Sequence, residues 1–567
     1  MRALTFWLTF CCASAIFAQN SAEPAEGAVI GKPAADPAGM HKPLHEAMLE
    51  LLRKNDAVVP EALDVYPYTA LYNREAIIPP QCYTRTEEKH NPCYVCHQNT
   101  IAERENRMSD GELQLAYSFS DIGMTNHWRN LFEDRRERVS AISDEEILDW
   151  INEDNYSALA PRLRAAGFEG WIPDLENLEQ GAAAFDEQGL AKDGSGWVAF
   201  NYKPLPSTFW PTNGSTDDVM IRLPEVFRTT SDGTPSKDIY KANLAILEAN
   251  IKGLTEVTTP PIDERVIKAD LNGDEKLGVI SRINQLSGFV GGAANYYFQP
   301  GLYPLDTEFL HTVRYVGVAP DGAISNSRRM KEVRYMKKIV MPPKAQLAEL
   351  YREEQYAKDA GYLPGYIDRR ERGLDNEMGW VIQGFIEDRK GRLRAATFEE
   401  NMFCMGCHTS VGSTIDKTFS FPRKIDGADG WGYIDLHGMP DAPNRGESKG
   451  EIANYFERIG GGDEFRSNTE MLARWFKKDG TLDVEKLAKA KDVYELITPS
   501  RERALLLNKA YRTIVADQDF IFGRDATVVP PINVYERIDN ETAPTLPEKL
   551  FYEWDIRLDW SDDSPSS

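Results

Sequence analysis

A mainly α fold with extensive irregular structure is what this sequence predicts, and three observations carry that expectation. Two helix-start signatures stand directly ahead of apolar residues at helical spacing. Four further stretches have an amphipathic helical period, at 237–252, 344–360, 484–496 and 501–515. Convincing period-two alternation is scarce, and no short repeat of fixed length occurs.

Taken in order, residues 1–18 read as an export signal, in which Arg2 precedes an apolar stretch from Ala3 to Phe17 and Ala18 offers a small residue before Gln19. That stretch is short for a membrane span and is interrupted by Thr5, Thr9 and Ser14, so removal is the expectation. Cys11 and Cys12 would leave with it, and Phe10 is not the small residue that a lipoprotein site needs before Cys11. Residues 19–40, rich in Ala, Pro and Gly, read as a flexible linker. The body is expected to divide into an N-terminal region (41–225), a central helical region (226–395) and a C-terminal region (396–567). In the first of these, Ser143 and Glu146 form a capping box with Ile142 and Ile147 as its hydrophobic staple. In the last, Ser448 and Glu451 repeat the device ahead of Ile452, Tyr455, Phe456 and Ile459.

Composition narrows the function. Of 567 residues, 65 are Lys or Arg and 89 are Asp or Glu, a net charge of -24 that repels nucleic-acid phosphates and steers a cationic protein partner toward the chain. No segment after the signal resembles a membrane span, so a periplasmic or secreted location is expected.

Two motifs carry the chemistry, Cys93-Tyr94-Val95-Cys96-His97 and Cys404-Met405-Gly406-Cys407-His408. Both are Cys-x-x-Cys-His, in which two thiols on one turn form thioethers to the two vinyl groups of one porphyrin and the histidine reaches its iron. In a chain of this composition one such pentapeptide arises by chance about 10^-3 times and two about 10^-6 times. Zinc or a redox dithiol also uses Cys-x-x-Cys, but six ligands exceed what one zinc takes. Covalent haem at both motifs is therefore the expectation, with His97 and His408 as proximal ligands. Cys82 is then the one thiol left in the mature chain. His127, 30 residues after His97, and His437, 29 after His408, are distal candidates, together with His311 in its apolar setting. His90 is a neighbour of the first haem, and Met124 and Met439 are thioether alternatives to the histidines. No catalytic residue is assigned.

In these motifs the sequence resembles c-type cytochromes, and more weakly the bacterial di-haem cytochrome c peroxidase group. The resemblance implies cytochrome c-like haem segments embedded in a large helical protein, electron transfer outside the cytoplasm and a redox partner protein. The alternative is a di-haem oxidoreductase, peroxidase- or oxygenase-like, with one open haem site. The motifs lie 311 residues apart, counting Cys93 to Cys404, which departs from a compact pair of adjoining domains.

A third motif, Asp270-Leu271-Asn272-Gly273-Asp274-Glu275-Lys276, offers calcium the side-chain oxygens of Asp270, Asn272 and Asp274 and the carbonyl of Lys276. It resembles dockerin-type calcium loops, with Glu275 where Gly is usual and Ser281 where a bidentate Glu closes the shell; an Asx-rich turn is the alternative. The Gly-Gly-Asp-Glu-Phe run at 461–465 reads as a glycine-rich helix terminus, despite its likeness to the diguanylate cyclase signature. The basic run of Arg328, Arg329, Lys331, Arg334, Lys337 and Lys338 reads as the solvated face of a helix, with binding of haem propionates or of an acidic docking partner as the alternative.

Overall fold

The computed structural model describes residues 75–561 apart from 100–107, 207–208, 285, 410, 461–466 and 526. The chain separates into residues 1–58 and 59–567, and every described element belongs to the second unit. The signal, the linker and the Gly-Gly-Asp-Glu-Phe run therefore lie outside the described residues.

The expected mainly α class is corrected: about 33% of the chain is helical and 18% is strand, and the strands build an eight-stranded antiparallel sheet. Its members are β1 (Val198–Ala199), β2 (Thr216–Arg222), β5 (Glu308–Val318), β6 (Ile324–Lys338), β7 (Ile367–Asp368), β8 (Leu374–Asp375), β9 (Trp380–Glu387) and β10 (Leu393–Ala395). The order is β1-β2-β5-β6-β9-β8-β7, with β10 on β9. A separate hairpin pairs β3 (Glu256–Asp263) with β4 (Val279–Asn284). The strands escape a period-two reading because both faces of the sheet are covered, so β9 is buried at every residue and shows no polar-apolar alternation. In β6 several of the charges are buried rather than solvated: Arg329 pairs with Glu387, and Lys338 with Asp416. The basic run is thus a strand and not an exposed helix face.

Helical signals hold where capping and period agree. Ser143 caps the helix Asp144–Asn152 by accepting from the Glu146 N–H, and Ile147 is buried with Ile142 packed near it. The helices Lys237–Lys252, Lys344–Asp359 and Arg501–Asp517 match their expected stretches, whereas 484–496 breaks into Val484–Leu487 and Val493–Ile497. The helix Glu451–Ile459 forms as expected, but Gly450 and not Ser448 is its N-cap.

The two faces of the sheet have different work. Met220, Leu310, Val333, Tyr335 and Phe385 point to one side and pack into an apolar core with Leu159, Leu163 and Trp197. By strand alternation their neighbours point to the other side, which is the wall of a chamber.

Candidate functional site

The first Cys-x-x-Cys-His sits on a 3-10 turn, Pro92–Val95, opened by a proline that needs no N–H partner. The N–H groups of Cys96 and His97 both donate to the Cys93 carbonyl, at 3.1 and 3.0 Å. Tyr94 anchors the turn edge-on to Tyr552, and its carbonyl accepts from Trp554 Nε1 at 2.8 Å. The second motif ends the helix Phe398–Met405, where Cys407 and His408 donate to the Cys404 carbonyl at 3.3 and 3.2 Å. Its central Gly406 is required by packing, because a Cβ there would run into the Ile77 carbonyl. Each motif therefore places both thiols and the following imidazole on one turn.

Far apart in sequence, the motifs meet in space. Ser413, five residues beyond His408, donates its N–H to the Cys96 carbonyl at 3.0 Å, and Gly412 is packed against Asp110 and Gln98 too closely for a side chain. All five described cysteines, Cys82 included, line one chamber with His97 and His408, and none is in a disulfide. The chamber opens to solvent at its mouth. Phe209, Phe309, Phe403, Phe419 and Trp128 give it flat aromatic walls.

Both histidines are anchored through Nδ1. His97 bonds Asp110 Oδ2 at 3.0 Å, and His408 bonds the Lys417 carbonyl at 2.9 Å. A carbonyl only accepts, so Nδ1 of His408 carries the proton and Nε2 keeps its lone pair; the Asp110 carboxylate imposes the same tautomer on His97. Burial would raise the Asp110 carboxyl, but His97, Lys358 and the Gln98 N–H hold it below its ordinary value. Burial pushes His408 down to about 4, so it is neutral at neutral pH. The thiols move the other way: burial raises Cys93 to about 12 and Cys407 to about 11, and lifts Cys82 and Cys96 well above the usual range.

The facing wall is the sheet. Val219 of β2, His311 of β5, Arg334 of β6 and Gly384 of β9 stand directly across from one another in one row. The next row on the same face holds Asp217, Val313 and Glu332, and the other side Phe309, Met336 and Ile382. Lacking a side chain, Gly384 lets its N–H reach Asn401 Oδ1 at 2.8 Å, which ties the helix of the second motif to the sheet. Between Glu332 and Met330 the pairing skips Lys331, so a β-bulge aims this lysine at the chamber as well.

Of the distal candidates, His311 lines the chamber, 3.3 Å from Asp217 Oδ2, with Nε2 buried and lacking a hydrogen bond. His127 is half-buried beside the chamber residue Trp128, and His437 is exposed, bonded to Asp435 and stacked on Tyr494. Neither belongs to the lining, nor do His90, Met124 and Met439. In the Asp270 loop, Asp270 accepts from the Gly273 and Glu275 N–H groups, Asn272 from Asp274, and Asp274 from Lys276, as an Asx turn does. Asp110, Asp217, Glu332 and Arg524 were missed by sequence reasoning. Arg334 and Lys331 were noticed and assigned to the wrong element.

Among known proteins, a family model of lipoproteins matches residues 66–493. A protein of Aquifex aeolicus (strain VF5) named "Uncharacterized lipoprotein" is 33% identical over 513 residues, covering 80% of this chain and 86% of the relative. No solved structure matches. The chain belongs to this lipoprotein family, which agrees with export, and among the described residues no helix is long and apolar enough to cross a membrane.

Membership corrects the resemblance to c-type cytochromes and to the di-haem peroxidase group. A pentapeptide records local attachment chemistry, and it does not carry the fold of the several hundred residues around it. The reading as an electron-transfer cytochrome or di-haem oxidoreductase falls with it, since neither comparison supports either activity. Among the described residues, no group of three or more His, Cys, Asp or Glu side chains is placed to hold a metal ion by itself.

Proposed function

We propose that this member of the lipoprotein family is a prosthetic-group protein of the cell envelope, holding one haem covalently at Cys93 and Cys96 and a second at Cys404 and Cys407 within one chamber. The carrying observation is that both motif turns line the same chamber with each imidazole fixed through Nδ1 and its Nε2 left over. Metal-binding histidines are held in this way by a carboxylate or carbonyl behind them. When bound, the groups would supply iron centres able to take further ligands.

The residues fit such groups. Four undisulfided thiols stand in two pairs on single turns, the aromatic walls suit a flat macrocycle, and Asp110 and the Lys417 carbonyl orient the two imidazoles. His311, half-buried and lining the chamber with His408, is the side chain offered from the sheet as an opposing ligand. A redox dithiol needs an accessible, stabilised thiolate, and burial here raises the thiols instead. Zinc would need its ligands gathered on one point, and the described residues offer no such group.

The finer location we propose is the periplasm, where thioether attachment and an exported lipoprotein family are compatible. An exported protein partner of positive charge is favoured by the net charge of -24. Calcium at Asp270, Asn272, Asp274 and the Lys276 carbonyl is a separate proposal for the loop before β4.

The test is a pyridine haemochrome titration of protein denatured after purification from cells that mature c-type haem. Two haems per chain are expected, and one after Cys93→Ala with Cys96→Ala. No haem in the unmodified protein would end the reading.

A further inference from the structure

The sheet wall of the chamber carries more cationic hydrogen-bonding capacity than its carboxylates use. Arg334 Nε and Arg524 Nη1 both donate to one oxygen, Glu332 Oε2, at 2.9 and 2.8 Å. One carboxylate thus serves two guanidinium groups. Arg334 makes no other hydrogen bond to the described residues, so its two terminal nitrogens remain available in the chamber while its planar head rests on Phe209, 5.1 Å from the ring centroid. Arg524 is buried, and its Nε lacks a hydrogen-bond partner. The bulge residue Lys331 adds a third cation, 3% exposed and 4.2 Å from the Tyr511 ring centroid.

Buried guanidinium groups are costly when their donors go unused, and two parallel N–H groups match the two oxygens of a carboxylate or oxyanion. An ordinary structural ion pair would match each arginine with its own carboxylate, as Arg394 is matched bidentately by Glu400 elsewhere in the fold. Here the pairing is two to one, and the surplus lies beside the second motif, since Arg334 lines the chamber together with Cys404 and Cys407.

We propose that Arg334 and Arg524, with Lys331 behind them, form an anion site in the chamber that takes a carboxylate or a small oxyanion through the open face of the Arg334 guanidinium. Two sources offer that chemistry, a propionate of a covalently held haem and a free small anion entering the chamber. The site itself does not depend on haem, so this inference and the proposed function can fail separately.

The experiment is equilibrium dialysis of the purified full-length protein with labelled acetate and labelled sulfate at fixed ionic strength, joined to resonance Raman spectra of any bound haem. The variants are Arg334→Gln and Arg334→Lys, with circular dichroism to confirm that each folds. Saturable uptake of one anion per chain, weakened at least tenfold in Arg334→Gln and less in Arg334→Lys, supports the site with a free anion as its ligand. No uptake, but a shift of the propionate bending bands in Arg334→Gln, supports it with the haem carboxylate as its ligand. Neither uptake nor a band shift overturns the proposal, and uptake by haem-free protein would leave it standing while the proposed function fell.

Discussion

Asp110 and Lys417 hold the two motif histidines by different means, and the difference predicts different behaviour on mutation. Asp110 has a side chain 1% exposed, paired with His97 and 3.6 Å from Lys358 Nζ. Removing one member of a buried ionic cluster strands the others, so Asp110→Ala should cost about 3 kcal/mol, read as a lowered denaturant midpoint at unchanged slope. Lys417 gives His408 its carbonyl while its own ammonium, buried with Tyr351 Oη as acceptor at 2.6 Å, is pushed down to about 7. Its folded value lies below the ordinary 10.5, so between pH 7 and 10.5 the unfolded chain binds more protons and the Lys417 contribution to stability rises with pH. It is lost as pH falls through 7. The stability difference between the parent and Lys417→Met should therefore grow in the parent's favour from pH 7 to pH 10, measured by chemical denaturation at each pH; a constant difference would show that the ammonium does not titrate there. The four thiols and two histidines were legible as one set because the motif spacing puts each trio on a single turn. Asp110 was not, since nothing local marks a carboxylate 13 residues from the imidazole that the fold gives it.

Elements differ in how openly they are written. The helix leading into the second motif has a capping box, in which Thr397 accepts from the Glu400 N–H at 3.3 Å and Glu400 Oε2 accepts from the Thr397 N–H at 2.8 Å. Thr397→Ala should lower stability by about 1 kcal/mol, seen as a reduced thermal midpoint. The N-cap at Ser143 and the amphipathic period along 237–252 were readable because they are local. Strands β5 and β6 were not read, because ion pairs to Arg329 and Lys338, and the Gly214 carbonyl and Ser215 hydroxyl that accept from Lys331, let β6 bury these cations where a solvated helix face is the usual reading. A local signal did exist: Pro320-Asp321-Gly322 joins the two strands, with Gly322 at φ 90°, and such a turn between β-branched runs marks a hairpin. The loop before β4 carries its own prediction. If Asp270 and Asp274 turn from their backbone partners to calcium, chelator lowers the thermal midpoint and Asp270→Ala with Asp274→Ala abolishes that response. An unchanged midpoint in chelator would leave the loop an Asx turn.

At the scale of the molecule, the chamber explains why two pentapeptides 311 residues apart belong to one site. The segment Pro79–Cys82, the turn at Cys93, the sheet from β2 to β9 and the helix ending at Met405 each supply one wall, and Tyr552 and Trp554 close the chain's far end over the first motif. Motifs reveal what a local turn can bind, whereas family and fold reside in the long-range pairing that a single sequence conceals. Hence the grouping of each trio on one turn was readable, and neither the antiparallel sheet nor membership of a lipoprotein family was. The measurement that bears most directly on the chamber is alkylation of the fully denatured protein followed by peptide mass analysis. If the two turns hold covalent groups, Cys82 alone among the five chamber thiols is alkylated, and the peptides containing Cys93 with Cys96 and Cys404 with Cys407 each carry the mass of one haem. Alkylation of all five, with both peptides at their bare mass, would contradict it.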